Sequence, residues 1–356
     1  MTVLAPSTEP RNLDALERGA MRTLVADLFP ARPVRYWLDF LASAMLGWAA
    51  FALAATLPLA SPASWLALAA CALALYRAVS FTHELAHLRR DAVPGFRTAW
   101  TLLCGMPLLV PNFLYTGVHV AHHGQRTYGT ARDGEYLPFA TRPPLLIVQH
   151  LLSNLVLPGF ALARFALIGP MSFLHPHLRR WVVVNLSGMS LRFPFRRDPP
   201  ARAEEARQWL REELATSVLV LAMLAGMIAG WLPLRLLLLY ALLVLLIATL
   251  NSVRAVGATH RYRSPGREST LHEQLEDSVS VSSGRLDALL LCPVGLRYHA
   301  LHHAFPTLPY HALGEGHRRL LQHLAADHPY RATLLRSVWQ GWRELLHDSR
   351  RHQAGA

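Results

Sequence analysis

Three clusters of histidine stand out in the chain: His83-Glu84-Leu85-Ala86-His87, His119-Val120-Ala121-His122-His123 and His299-Ala300-Leu301-His302-His303. On a helix, positions i, i+3 and i+4 share a face, so each cluster is expected to present its imidazoles in a single direction. Eight nitrogen ligands are too many for one tetrahedral zinc and suit a pair of metals. Neutral imidazole accepts iron, zinc, copper and nickel alike, so the spacing specifies a polyhistidine dimetal site without naming its metal.

A lone histidine beside an apolar face usually packs or hydrogen-bonds locally. Three clusters at ligand spacing reverse that expectation. The first also matches the HExxH pattern of zinc peptidases, with Glu84 as general base. That reading needs one further ligand and leaves both HxxHH clusters without a purpose.

Long apolar segments hold these clusters apart. The 356 residues are 52% hydrophobic and 16% charged, against about a quarter charged in a typical soluble domain. The sequence predicts an all-α integral membrane protein with about four spans in two hairpins, at 38–60, 65–82, 214–232 and 234–250. The stretches Ala99 to Tyr115 and Leu145 to Pro170 carry prolines and polar residues and read as interfacial or re-entrant segments on the histidine side. The net charge is +12, carried by arginine with no lysine. These arginines flank the apolar runs, which fits cytoplasmic ends for both hairpins better than nucleic-acid binding. Residues 1–35 read as a polar cytosolic arm and not a signal peptide. Residues 36–325 read as the membrane domain with a cytosolic helical cap, and 326–356 as a C-terminal helical tail. Cys71, Cys104 and Cys292 form no CxxC pair and show no disulfide framework.

At its histidine clusters the chain resembles the membrane fatty-acid desaturase superfamily, whose hallmark is three boxes of the form HxxxH, HxxHH and HxxHH. The resemblance extends to Gly124–Tyr136, a polar stretch after the second box. It also covers His302-His-Ala-Phe-Pro-Thr-Leu-Pro-Tyr310 after the third. The family uses a further ligand after the last span, and His260 occupies that place, although Thr259 precedes it where relatives often carry an acid. The resemblance therefore implies a ligand set of His83, His87, His119, His122, His123, His260, His299, His302 and His303, with Asn251 contributing through water. Asp133, Glu135 and Asp277 are candidates for carboxylates that orient ligand imidazoles, or equally for solvated loop acids. The other histidines, His150 and His317 among them, are expected to be solvated or packed.

The resemblance also implies two iron ions as cofactors, with O2 as co-substrate. The expected reaction puts a double bond into a fatty-acyl chain lying in an apolar tunnel. The alternative is hydroxylation of an acyl chain, alkane, carotenoid or sphingolipid. The two-residue gap in the second box and the motif after the third lean toward desaturation. A transporter would carry polar residues inside its spans, and these spans are nearly clean of them. Electrons are expected from a separate ferredoxin or cytochrome with its reductase, since the chain shows no haem motif, GxGxxG or cysteine quartet. Richness in Ala, Leu and Arg suggests a GC-rich bacterial genome and hence the cytoplasmic (inner) membrane, with the metal site and both termini cytoplasmic.

Overall fold

The computed structural model describes residues 10–192 and 195–354. Residues 1–9 of the expected N-terminal arm lie outside the described residues. The first helix, α1 (Pro10–Val25), places Met21 and Val25 against Leu301 and Phe305 far down the chain. The arm thus packs on the cap.

Two membrane helices follow, α2 (Pro33–Thr56) and α3 (Pro62–Val79). Each begins with proline in its first turn, where the missing N–H costs nothing. Gly47 lets them approach closely, since a Cβ there would lie 2.5 Å from Leu75 Cγ. The first span starts and ends about four residues earlier than expected, because Pro33 can open a helix and Pro58 cannot continue one. After Ser80 the chain turns into α4 (Phe81–His87), and the two pieces run together as one apolar helix of 26 residues. The first histidine cluster is therefore the end of a span and does not follow it.

A short α5 (Phe96–Trp100) leads into a π-turn and a tight bend at Leu109, whose φ is 57°. This segment packs against the long helices. Trp48 of α2 donates to the Leu103 carbonyl at 2.8 Å, and Tyr240 donates to that of Pro107 at 2.9 Å. Next come α6 (Thr116–His122), then α7 (Leu145–Ser153) and α8 (Leu157–Ala163), which runs on through a π-turn to α9 (Gly169–Ser172). The α7 and α8–α9 axes differ by 49°, so this pair is a broken span or a re-entrant loop. A surface helix, α10 (Pro176–Asn185), precedes α11 (Ala203–Ile228) and α12 (Leu234–Ala258).

Among the described residues three helices, α2, α3–α4 and α12, are long and apolar enough to cross a bilayer, or four if the bent pair is one span. The expected third span is corrected here. Its helix ends at Ile228 and not at residue 232, and Arg211, Glu212 and Glu213 lie in its lower half. The apolar part of 15 residues would cover only about 22 Å at 1.5 Å per residue. Even so, α11 makes contacts at both ends of the bundle. Glu204 in its first turn pairs with Arg90 on the histidine side at 2.5 Å. Its far end turns directly into α12, whose Arg235 donates to the Ala54 and Leu57 carbonyls at the end of α2. Its buried Glu213 bridges Arg164 at 2.7 Å and Arg179 at 2.6 Å, which neutralises the charge that broke the apolar run. Leu38, Leu46, Leu66, Val218 and Leu238 stay exposed on the outer faces, as a lipid-facing surface requires.

The cap contains α13 (Leu271–Asp277), opened by a capping box of Thr270 and Glu273, then α14 (Leu286–Leu291), α15 (His299–Ala304), α16 (Tyr310–His323) and α17 (Pro329–Ala332). A two-residue parallel pairing, β1 (Ser280–Val281) with β2 (Leu334–Leu335), is the small exception to an all-helical fold. The last helix, α18 (Val338–Ala354), lies along α12, where Trp342 donates to the Val253 carbonyl at 2.9 Å. Arg261–Glu344 and Arg263–Asp348 ion pairs fasten it to the loop after α12.

Candidate metal centre

Histidines from four places meet between the ends of the membrane helices and the cap. The end of α3–α4 supplies His83 and His87, and α6 with its C-cap supplies His119, His122 and His123. The residue after α12 and Thr259 supplies His260, and α15 supplies His299, His302 and His303. All but His87 and His123 are buried.

The imidazoles form two groups of four, His87, His119, His123 and His302 in one and His122, His260, His299 and His303 in the other. Within each group the ligand nitrogens lie within 4.8 Å of one another. The Nε2 atoms of His119 and His123 are 3.2 Å apart, and those of His123 and His302 are 3.0 Å apart. In the other group His260 and His299 are 3.2 Å apart, and His299 and His303 are 3.1 Å apart. A metal–imidazole bond of about 2.0–2.1 Å places neighbouring ligand nitrogens about 3.0–3.4 Å apart, so these spacings fit the edges of a coordination polyhedron.

The grouping corrects the expectation of one direction per cluster. Residues i and i+4 lie about 40° apart around a helix, while i+3 lies about 60° to the other side. His119 and His123 therefore serve one group and His122 the other. In α15, His299 and His303 stay together and His302 crosses over. His83 belongs to neither group of four. Its ring centroid lies 4.6 Å from that of His119 and 4.1 Å from that of His302, and both of its nitrogens are buried without a hydrogen-bond partner.

Carboxylates hold several rings from behind. His122 Nδ1 bonds Asp133 Oδ2 at 2.8 Å, and His119 Nδ1 bonds Glu135 Oε2 at 3.0 Å. Asp133 is fully buried and also accepts from the Gly129 and Glu135 amides at 2.8 and 2.9 Å. Asp277 acts at one remove. Tyr128 lies between it and His260, with its hydroxyl 2.8 Å from Asp277 Oδ2 and 2.9 Å from His260 Nδ1. Tyr136 adds a second hydroxyl to Asp277 at 2.7 Å. The sequence reading missed both tyrosines, whose partners lie more than 130 positions away. Asn251 meets no imidazole and accepts instead from Arg254 at 3.0 Å.

Burial and neighbouring imidazoles hold His119, His123, His299, His302 and His303 well below the ordinary histidine range. Burial, with His122 and Arg254 nearby, does the same to His260. These rings are neutral at pH 7 and keep a lone pair free, as ligation requires. His122 differs. Burial alone would lower it, but Asp133 outweighs that and raises its pKa. Burial pushes the Glu135 carboxyl up to about 7.

Glu84 approaches the centre only through Oε1, 4.0 Å from His83 Nδ1, and its other oxygen is committed to packing. Its Oε2 accepts from the Tyr36 hydroxyl at 2.5 Å and the Tyr310 amide at 3.0 Å, and so ties α2 and α16 to α4. That placement removes the support for a peptidase.

A cavity of about 260 Å³ opens beside the histidines. It is apolar toward Val244 and Ile247, while Asn251, Arg254, His150 and Glu135 line its other parts. Its lining is nonetheless chiefly apolar, like the tunnel expected from sequence, with these polar groups, His150 among them, set into the wall.

A family model described as fatty acid desaturase matches residues 60–334, over three quarters of the chain. The chain belongs to the fatty acid desaturase family. It is also similar to a protein named "Ceramide hydroxylase" from Caulobacter vibrioides (strain NA1000 / CB15N), 38% identical over 345 residues that cover 96% of each chain. Membership in the fatty acid desaturase family makes this a membrane-embedded oxidoreductase acting on lipid.

Proposed function

We propose that this enzyme hydroxylates a ceramide-type lipid at a di-iron centre held by the nine histidines. His87, His119, His123 and His302 would hold one iron, His122, His260, His299 and His303 the other, with His83 at hand between them. The observation that carries this reading is the pair of four-imidazole groups beside a cavity, each with Nε2 atoms at ligand spacing. When bound, the irons supply O2 activation and the oxidising power to break an unactivated C–H bond. The balance is R–H + O2 + 2 e⁻ + 2 H⁺ → R–OH + H2O.

The protein's own residues position, shield and orient. Asp133, Glu135 and the Tyr128–Asp277 pair fix the ring tautomers, so the lone pairs point inward. The cap, tied down through Glu84 and Tyr310, keeps bulk water off the site. The cavity fixes which carbon is presented, so position decides the product.

Desaturation is the second reading, and the boxes that favoured it describe metal geometry that both outcomes share. It consumes the same inputs, –CH2–CH2– + O2 + 2 e⁻ + 2 H⁺ → –CH=CH– + 2 H2O. The name and near-complete coverage of the Caulobacter relative favour hydroxylation. Expression in a host supplied with ceramide, followed by lipid mass spectrometry and iron analysis, separates the two. A product 16 mass units heavier supports hydroxylation, and one 2 units lighter returns the enzyme to desaturation. Zinc in place of iron with no lipid change defeats both.

Electrons would come from a separate ferredoxin or cytochrome with its reductase, docking on the cap. We place the centre on the cytoplasmic side of a bacterial inner membrane, following the arginines at the histidine-side helix ends. The catalytic unit we assign is 36–325, flanked by the arm 1–35 and the tail 326–356, whose described residues 10–35 and 326–354 pack on it.

A further inference from the structure

The reading above leaves one charged side chain of the cavity unexplained. Arg254 lies on α12, less than two turns before His260, and lines the same cavity as His83, His119, His260 and His299. Among the described residues it makes no ion pair. It donates from Nη2 to Asn251 Oδ1 at 3.0 Å and also reaches the Tyr76 hydroxyl, while its buried Nε has no partner. An arginine with a buried, unsatisfied donor is costly, and such residues mark sites; the Glu135 carboxyl in the same cavity is its electrostatic counterpart. A second group in the cavity is also unsatisfied: Glu135 Oε1 is buried and without a partner, while its Oε2 is taken by His119.

The two orphans are complementary. A guanidinium offers donors and a carboxylate oxygen offers an acceptor. A secondary amide carries a carbonyl for the first and an N–H for the second. Along α12 the lining is graded, with Val244, Ile247 and Ala248 apolar, then Asn251 and Arg254 polar, then His260. A lipid lying in this cavity would put its polar group beside the histidines and its hydrocarbon toward the middle of the bilayer.

We infer that Arg254, with Asn251 and Glu135, forms a subsite for the amide of an N-acyl lipid, so that the carbons nearest the amide, and not the middle of the chain, meet the metal centre. This rests on the proposed lipid oxidation. Arg254 would be a specificity residue that touches substrate and takes no part in bond breaking. A free fatty acid shares an acceptor oxygen but lacks the N–H.

The test uses the purified full-length, iron-loaded protein in detergent. Retention of radiolabelled N-hexadecanoyl sphinganine, hexadecanoic acid and hexadecane is compared for wild type, Arg254→Met, Arg254→Lys and Asn251→Leu. The subsite predicts that wild type retains the amide lipid in preference to the other two. Arg254→Met should weaken that retention at least tenfold, and Arg254→Lys and Asn251→Leu by less. Hexadecane retention, iron content and melting temperature should stay level. Equal retention of the amide lipid by all four proteins overturns it, as does wild-type preference for the free acid. If Arg254→Met does not fold, Arg254→Lys and Asn251→Leu carry the comparison.

Product mapping separates this inference from the reading beneath it. Oxidation near the amide supports the subsite whether the product is an alcohol or an alkene. Oxidation in mid-chain overturns the subsite and leaves the lipid oxygenase standing. Amide retention that depends on Arg254 in a protein oxidising no lipid sustains the subsite and sinks the reaction.

Discussion

Gly341 of α18 lies against Gly257 of α12 so closely that a methyl group on Gly341 would overlap the Gly257 carbonyl oxygen. Three residues beyond Gly257 stands His260, so this backbone contact sets the position of a candidate ligand. Gly341→Ala should cost about 1–3 kcal/mol, as overpacking does. Its melting temperature and iron content should fall together. A variant with wild-type values of both would remove α18 from any part in holding the site.

Asp133 anchors His122 from a fully buried position, with two backbone amides fixing the carboxylate in turn. Asp133→Asn keeps the shape and loses the charge. Such outer partners typically tune metal affinity by about 10–100-fold. Iron titration of the apoprotein should show a weakening of that size, with helix content by circular dichroism unchanged.

The Tyr128 hydroxyl is what links Asp277 to His260. Removing it in Tyr128→Phe should cost about 1 kcal/mol, or about fivefold in iron affinity. Tyr136→Phe provides the control, because Tyr136 meets the same carboxylate without bonding the imidazole. Its effect on iron loading should be smaller, and equal effects would speak against the relay.

Acid should destabilise the protein through histidines outside the centre as well as within it. His317 is buried against Tyr330 Oη at 2.7 Å, and burial, with Arg297 nearby, pushes it down to about 4. The unfolded chain takes up this proton near pH 6.5, while the folded one resists until about pH 4. The stability it contributes is therefore complete above pH 6.5 and is lost as the pH falls toward 4. One such group changes stability by up to about 1.4 kcal/mol per pH unit in that window. Chemical denaturation of His317→Asn from pH 7 to 5 should show a shallower loss than wild type. Parallel curves would exclude His317 as a contributor.

The histidine clusters were legible because ligand spacing on a helix is a local property. His83, His87, His119, His122, His123, His299, His302 and His303 all lie within short helical segments, and those segments meet. Asp133 and Glu135 were visible for the same reason, a few residues beyond a cluster. Tyr128, Tyr136 and Arg254 were not, since their roles depend on contacts between distant segments that no periodicity encodes. The expected third span began only at residue 214 because hydropathy sees Glu212 and Glu213 as an end, whereas the helix begins at Ala203. The fold buries Glu213 between Arg164 and Arg179, two arginines remote in sequence. Glu84 shows the converse: HExxH named a base, and packing against Tyr36 and Tyr310 made it a bracket.

The crossing of His122 and His302 between the two groups has a further consequence. Both α6 and α15 lend imidazoles to each group, so seating one ion sets the helices that seat the other. On the proposed di-iron reading, filling should then be cooperative. At limiting iron the population should divide into empty and doubly filled chains, with activity in proportion to total bound iron, and metal titration that shows a singly filled form accumulating would break the link.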